Sequence, residues 1–324
     1  MSELRKIAVM DDYLSPHHKE WIGEAAERYG FTVDYYAKAE EALPRIGEYE
    51  IFFGHSCAPL LKEAKHLKWF ANVFAGIDPY LPDEVWGNPE CLFTSSAGAY
   101  GVAISEHIIM VLLMLLHRMP EFARQQNARI WQRLEPTRSM YGLRISIVGM
   151  GDTGSNVARR AKAMGATVCG IRRSLNKPVD PAFDEVHTLA ELEELLPRTD
   201  ALVLCLPATP ATRGLIDAEK LSLLPSDALL VNTGRGAVVK TDAVIAALEK
   251  GELAGAALDV LEQEPPAADS KVWELPNLIL TPHSSGDMSL VHTCDKVVEM
   301  FLEDWARYMA GEPLRHVPDR KAGY

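Results

Sequence analysis

The chain has no apolar run long enough to cross a bilayer, no closely spaced cysteine pair and no excess of positive charge. Its longest apolar stretch, residues 108–116, is about half of the ~20 residues a membrane span needs, and histidines bound it on both sides. It reads as a buried helix. The five cysteines (Cys57, Cys91, Cys169, Cys205, Cys294) are scattered and odd in number, so neither a disulfide framework nor a thiolate metal site is indicated, and no metal is expected. A reducing cytoplasm fits that usage. The net charge of −12 argues against nucleic acid as a main partner, because phosphate binding draws on clustered Lys and Arg. Residues 1–7 lack the long apolar region and cleavage site of a signal peptide, so export is not expected. Internal repeats, low-complexity tracts and charge runs are missing too.

What is present is ordinary globular composition, 48% apolar and 24% charged, over 324 residues, a length that favours two domains. In the first hundred residues, short β-branched and aromatic runs (6–10, 31–35, 51–54, then 67–74 and 91–94) alternate with helical stretches (16–29, 40–46). That alternation marks a parallel sheet covered by helices. One long helix is expected over 102–126. A second series of six strands follows at 143–148, 167–171, 201–206, 228–232, 255–259 and 278–281. The last 38 or so residues hold one helix, 290–309, too little for another domain. The expectation is therefore α/β, with two doubly wound parallel sheets: a Rossmann dinucleotide-binding domain over 101–286, and a discontinuous flavodoxin-like substrate domain over 1–100 and 287–324.

Gly149-Met150-Gly151-Asp152-Thr153-Gly154 is GxGxxG, set between a strand and a helix. The first glycine permits the tight turn, the second lets backbone approach a pyrophosphate, and the third lets helix and strand pack closely. Phosphate then rests on the helix N-terminus. Where an NAD site carries Asp or Glu at the end of the second strand, this sequence has Arg172-Arg173-Ser174. Two guanidiniums and a hydroxyl suit a ribose 2′-phosphate, so NADP is expected over NAD; a solvated basic turn is the plainer reading.

Three further segments fall at strand ends of the second series: 231–236, 257–265 and 281–283. They supply Arg235, the carboxylates Asp259 and Glu264, and His283. Reduction of a 2-oxo acid needs a cation to hold the carboxylate and polarise the ketone, an acid to protonate the new alkoxide, and a carboxylate to keep that acid charged. Taken singly, His283 is better explained as a packed loop histidine, Glu264 as a solvated loop charge and Arg235 as a surface cation.

Together, in this order, the motifs resemble the D-isomer-specific 2-hydroxyacid dehydrogenase family. The resemblance runs along nearly the whole chain: Phe74-Ala75-Gly76-Ile77-Asp78, residues 98–107, the glycine loop, Leu206-Pro207 with Thr209 and Thr212, Asn232-Thr233-Gly234-Arg235-Gly236, Leu258-Asp259-Val260 through Glu264-Pro265, Thr281-Pro282-His283 and Gly311-Glu312-Pro313-Leu314. It implies Arg235 as carboxylate and carbonyl clamp, His283 as general acid/base and Glu264 as its partner. Ala75, Gly76 and Ile77 would offer backbone N–H groups to the substrate carboxylate. Leu206, Pro207, Thr212, Thr233 and Gly234 would line the cofactor, with Asp259 near its nicotinamide end. Glu264 separates the chain from the related formate dehydrogenases, which carry an amide there. Within the family the arginines, the 74–79 loop and the length look most like NADPH-preferring glyoxylate and hydroxypyruvate reductases. The lack of a regulatory domain disfavours phosphoglycerate dehydrogenase. His55 and Ser56 are candidates for the substrate's side-chain pocket, with a buried capping role as the alternative. The helix from Val102 to Leu116 is too apolar to cover only its own core, so a homodimer is expected. Other readings are a non-catalytic dinucleotide sensor on the same fold, a dehydrogenase for a bulkier 2-hydroxy acid, and a hydrolase using bound NAD.

Overall fold

The computed structural model describes residues 5–55, 57–176 and 178–323. Ser56, one of the pocket candidates, lies outside them. The chain divides into one unit of residues 1–100 with 287–324 and a second of residues 101–286.

In the first unit the strands are β1 (Arg5–Met10), β2 (Phe31–Tyr36), β3 (Ile51–Gly54), β4 (Trp69–Asn72) and β5 (Leu92–Ser95), joined by α1 (Pro16–Tyr29), α2 (Ala39–Ala42) and α3 (Ala58–Glu63). They form a parallel sheet of order β2-β1-β3-β4-β5. The helical stretch expected over 40–46 is only one α-turn, because Pro44 supplies no N–H and the chain tightens into a 3-10 helix over Leu43–Glu48. Alternate side chains of β3 and β4 face opposite ways. Phe52 and Phe70 pack with Phe93, Tyr80 and Trp86 on one face. Phe53 and Trp69 stack on Phe301 on the other, with ring centroids 4.2 and 5.2 Å apart.

The second unit begins with α4 (Gly101–Leu116) and α5 (Met119–Asn127), one pair where a single long helix is expected. The axis bends by 67° between them. Arg118 takes a left-handed φ of 58° there and Pro120 follows in the first turn of α5, so the hydrogen-bond ladder cannot continue. Then come β6 (Arg144–Val148), α6 (Asp152–Ala163), β7 (Thr167–Arg172), β8 (Glu185–Thr188), α7 (Leu192–Leu195), β9 (Ala201–Leu204), α8 (Ala218–Ser222), β10 (Leu229–Asn232), α9 (Thr241–Lys250), β11 (Gly255–Leu258) and β12 (Leu278–Leu280). The sheet is parallel, ordered β12-β11-β10-β9-β6-β7-β8. It has one strand more than the sequence suggests. The extra strand, β8, reads Glu-Val-His-Thr and is nowhere fully buried, so it lacks the apolar run that betrays the other strands.

The chain then returns to the first unit as α10 (Val291–Ala310). Phe301 and Trp305 are buried against the five-stranded sheet, and truncating either would cost about 3–5 kcal/mol, a large part of a domain's stability. The tail is thus part of that unit's core. Among the described residues no single helix is long and apolar enough to cross a membrane.

Candidate active site

The glycine loop joins β6 to α6. Gly149 has φ 106°, and a Cβ there would meet the Cys205 carbonyl at 2.4 Å. A Cβ on Gly154 would lie 1.9 Å from the Gly149 carbonyl, so helix and turn touch backbone to backbone. Around Gly151, by contrast, there is open space at the head of α6, where a pyrophosphate could approach the free N–H groups. Met150 packs towards Gly170 of β7. The carboxylate of Asp152 turns away to accept from the Gly101 N–H at 2.8 Å and Asn156 Nδ2 at 3.0 Å, and burial pushes its pKa up. Asp152 and Thr153 open α6.

Val148 pairs with Ile171, so Arg172 stands level with the loop at the edge of the sheet. Arg172 donates to the Pro178 carbonyl at 3.2 Å, and Arg173 and Ser174 are exposed beside it. No carboxylate occupies the end of β7. The Thr212 hydroxyl donates to the Pro207 carbonyl at 2.6 Å and closes the turn that follows Leu206. Gly234 lies against the Leu206 backbone with no room for a side chain, and the Thr233 hydroxyl is buried beside the Cys205 thiol. The open space at Gly151 and the cations after β7 fit a dinucleotide phosphate.

Arg235, Glu264 and His283 leave the carboxyl ends of three neighbouring strands, β10, β11 and β12. Buried Asn232 fixes the first of these turns: its Oδ1 accepts from Gly234 N and its Nδ2 donates to the Arg235 carbonyl, both at 3.1 Å. The structure brings His283 and Glu264 together, with Nδ1 2.9 Å from Oε2. Glu264 Oε1 accepts from the Leu261 N–H at 2.9 Å, which aims the carboxylate. Nδ1–H bonded to a carboxylate leaves Nε2 as the working nitrogen.

His283 has φ 54°, a left-handed conformation costly for a residue with a Cβ. Asp259 holds it there. The Asp259 carbonyl accepts from His283 N at 2.9 Å, and its buried carboxylate accepts from the Thr281 hydroxyl, the Ser284 N–H, and the N–H and hydroxyl of Ser285. Thr281 also meets His107 Nε2 at 3.4 Å. Burial works to raise the Asp259 pKa, and the bonds from Ser285, Thr281 and Ser284 more than offset it, so the group stays below its ordinary value. Its stabilising effect is therefore complete above the unfolded-state pKa and is lost as pH falls through the lower folded value. Asp259→Asn would set an amide N–H against these donors, and an unfolding free energy about 1–3 kcal/mol lower at neutral pH is expected, with a smaller further loss below about pH 4 than in the unmodified protein. Urea titrations at the two pH values measure both.

In the first unit, Ala75-Gly76-Ile77 follows β4. Asn72 donates through Nδ2 to the carbonyls of Phe74 (2.8 Å) and Gly76 (3.0 Å). In a trans peptide C=O and N–H point opposite ways, so this clamp turns the N–H groups of Ala75 and Ile77 outward. The Ile77 side chain is buried and anchors the turn, whereas Ala75 is exposed. Asn72 and Asn232 are the functional positions that sequence reasoning missed. The signal available was a polar residue closing each apolar strand.

Among the described residues Cys169, Glu185 and His187 lie close enough to share an ion. Arg144 already forks onto Glu185 at 2.8 and 2.6 Å and His187 bonds Glu191, so the group is an ion network at the sheet edge.

A Rossmann sheet with an Arg, a Glu–His pair and a phosphate loop along one edge defines a nicotinamide-dependent oxidoreductase. Residues 109–285 match the family described as D-isomer specific 2-hydroxyacid dehydrogenase, NAD binding domain. The chain belongs to that family, and it is an enzyme of that class. It is 32% identical to a D-isomer specific 2-hydroxyacid dehydrogenase family protein of Aeromonas salmonicida, with TM-score 0.87 over 98% of this chain and 100% of that one. It is 27% identical to the NADPH-dependent glyoxylate/hydroxypyruvate reductase of Sinorhizobium meliloti, solved with NADP and sulfate, with TM-score 0.82 over 99% and 100%. The glyoxylate reductase of Aeropyrum pernix is 29% identical over 88% of this chain and 82% of its own length. The chain spans half or less of the D-3-phosphoglycerate dehydrogenases it matches.

Proposed function

We propose that the enzyme uses NADPH to reduce a small 2-oxo acid of the glyoxylate or hydroxypyruvate type to its D-2-hydroxy acid. The observation that carries this is the His283–Glu264 pair at 2.9 Å on the strand edge that also bears Arg235. The bound dinucleotide supplies the hydride. Arg235 holds the substrate carboxylate and draws charge onto the ketone oxygen, while the N–H groups of Ala75 and Ile77 bind the carboxylate. His283, oriented by Glu264, gives its Nε2 proton to the alkoxide as it forms. Arg172, Arg173 and Ser174 favour NADPH by receiving the 2′-phosphate. A panel of 2-oxo acids, each run with NADH and NADPH, tests the reading; glyoxylate and hydroxypyruvate should give the largest kcat/KM. Faster turnover of phenylpyruvate or another bulky acid would overturn it.

A homodimer accompanies this proposal. On α4, Met110 is exposed and Ile109, Leu113 and Met114 are half-buried, while Trp131 and Tyr141 of the same unit stand largely in solvent. That much apolar surface supports a second copy as its cover. Light scattering at micromolar concentration should give twice the chain mass, and a monomer would refute the assignment. All five cysteines are unpaired, which supports a reducing, cytoplasmic setting.

A further inference from the structure

In the first unit the strand order reverses between β1 and β3, and the turn after β4 lies beside them. Ligands of open α/β sheets bind at such a reversal, outside the carboxyl ends of the strands. Asp12, just beyond β1, meets His55, just beyond β3, through Oδ2 and Nε2 at 2.9 Å. The imidazole lies against the rings of Tyr13 and Phe74, with centroids 5.7 and 4.9 Å away. Phe74 leads directly into the Ala75–Ile77 turn, so the pair borders the groups assigned to the substrate carboxylate. Asp12 stays 30% exposed at the side chain and His55 13%.

Charge at this edge is one-sided. The segments after β1, β3, β4 and β5 (residues 11–15, 55–57, 73–77 and 96–100) contain no lysine or arginine. Lys19 reaches the edge only to bond Asp11, at 2.6 Å. Asp287 adds a further carboxylate near the Tyr13 phenol, whose pKa is pushed up by burial and by Asp12 and Asp287. The imidazole that could welcome an anion is already matched by Asp12.

We propose that Asp12, held in place by His55, sets charge selectivity for the substrate's side chain, admitting neutral groups and refusing a carboxylate or phosphate there. This rests on the 2-oxo acid reading above. The test compares kcat/KM for neutral substrates (glyoxylate, hydroxypyruvate) with that for anionic ones (oxaloacetate, 3-phosphohydroxypyruvate) in the unmodified enzyme, Asp12→Asn and His55→Gln. The asparagine is isosteric and removes the charge, so the neutral-to-anionic ratio should fall at least about tenfold, the factor that 1.4 kcal/mol represents. His55→Gln keeps the carboxylate and a donor for it, so its ratio should stay at or above the unmodified value. An unchanged ratio in Asp12→Asn, or an equal fall in His55→Gln, overturns the proposal. Calorimetric Kd values for D-lactate and D-malate, measured without turnover, give a second ratio that must move the same way. If no 2-oxo acid is reduced, the reductase reading fails while the binding ratio still decides the role of Asp12.

Discussion

Replacing His283 with alanine is expected to lower kcat for reduction by roughly a hundred- to ten-thousandfold, the range over which a positioned general acid acts. The imidazole is half exposed and its Nδ1 is committed to Glu264, so its protonating nitrogen is Nε2. Near-normal kcat in the variant would move the acid elsewhere. Glu264→Gln preserves an acceptor for Nδ1–H but removes the negative charge beside the imidazole. It should therefore lower kcat for reduction, by less than His283→Ala does because solvent screens a pair this exposed. A kcat equal to that of the unmodified enzyme would refute the pairing. Arg235→Ala should raise KM and lower kcat together, since the same guanidinium is assigned to ground state and transition state. A rise in KM alone would remove the carbonyl-polarising role.

The parts of this site that were legible in the sequence are those fixed by backbone chemistry. Gly149 and Gly154 could be assigned because only glycine tolerates a φ of 106° or a carbonyl 1.9 Å from its would-be Cβ. The buried strands β9, β10 and β11 announce themselves as apolar runs, whereas β8, polar and half-exposed, gives no such signal. The break between α4 and α5 was written in Pro120 but masked by apolar residues on either side. Asn72, Asn232 and Asp12 act through hydrogen bonds to neighbours that only the fold determines, and a single polar letter at a strand end does not say which carbonyl or ring it will meet. Asp259 stood out in the sequence as a candidate, but not as the clamp on the left-handed turn of His283.

NADPH is expected to exceed NADH by at least tenfold in kcat/KM, and exchanging Arg172 and Arg173 should collapse or invert that preference. The fold sets the position of this charge: Gly149 N–H bonds the Ile171 carbonyl at 2.8 Å, so the residues after Ile171 emerge beside the phosphate loop, where the adenine ribose of a dinucleotide lies in Rossmann sites. A carboxylate there would accept from a ribose hydroxyl and repel a phosphate. The arginines can do neither, but each charge-assisted bond to a phosphate oxygen contributes roughly 1.5–3 kcal/mol, more than the ~1.4 kcal/mol that a tenfold preference requires. Arg172 donates to the Pro178 carbonyl, and Arg173 is exposed at the next position. Arg172→Asp with Arg173→Ala should act mainly through a higher KM for NADPH, leaving kcat at saturation within a few-fold, because the 2′-phosphate is remote from the reacting atoms. Comparable kcat/KM values for NADH and NADPH in the unmodified enzyme would reduce these arginines to a solvated turn.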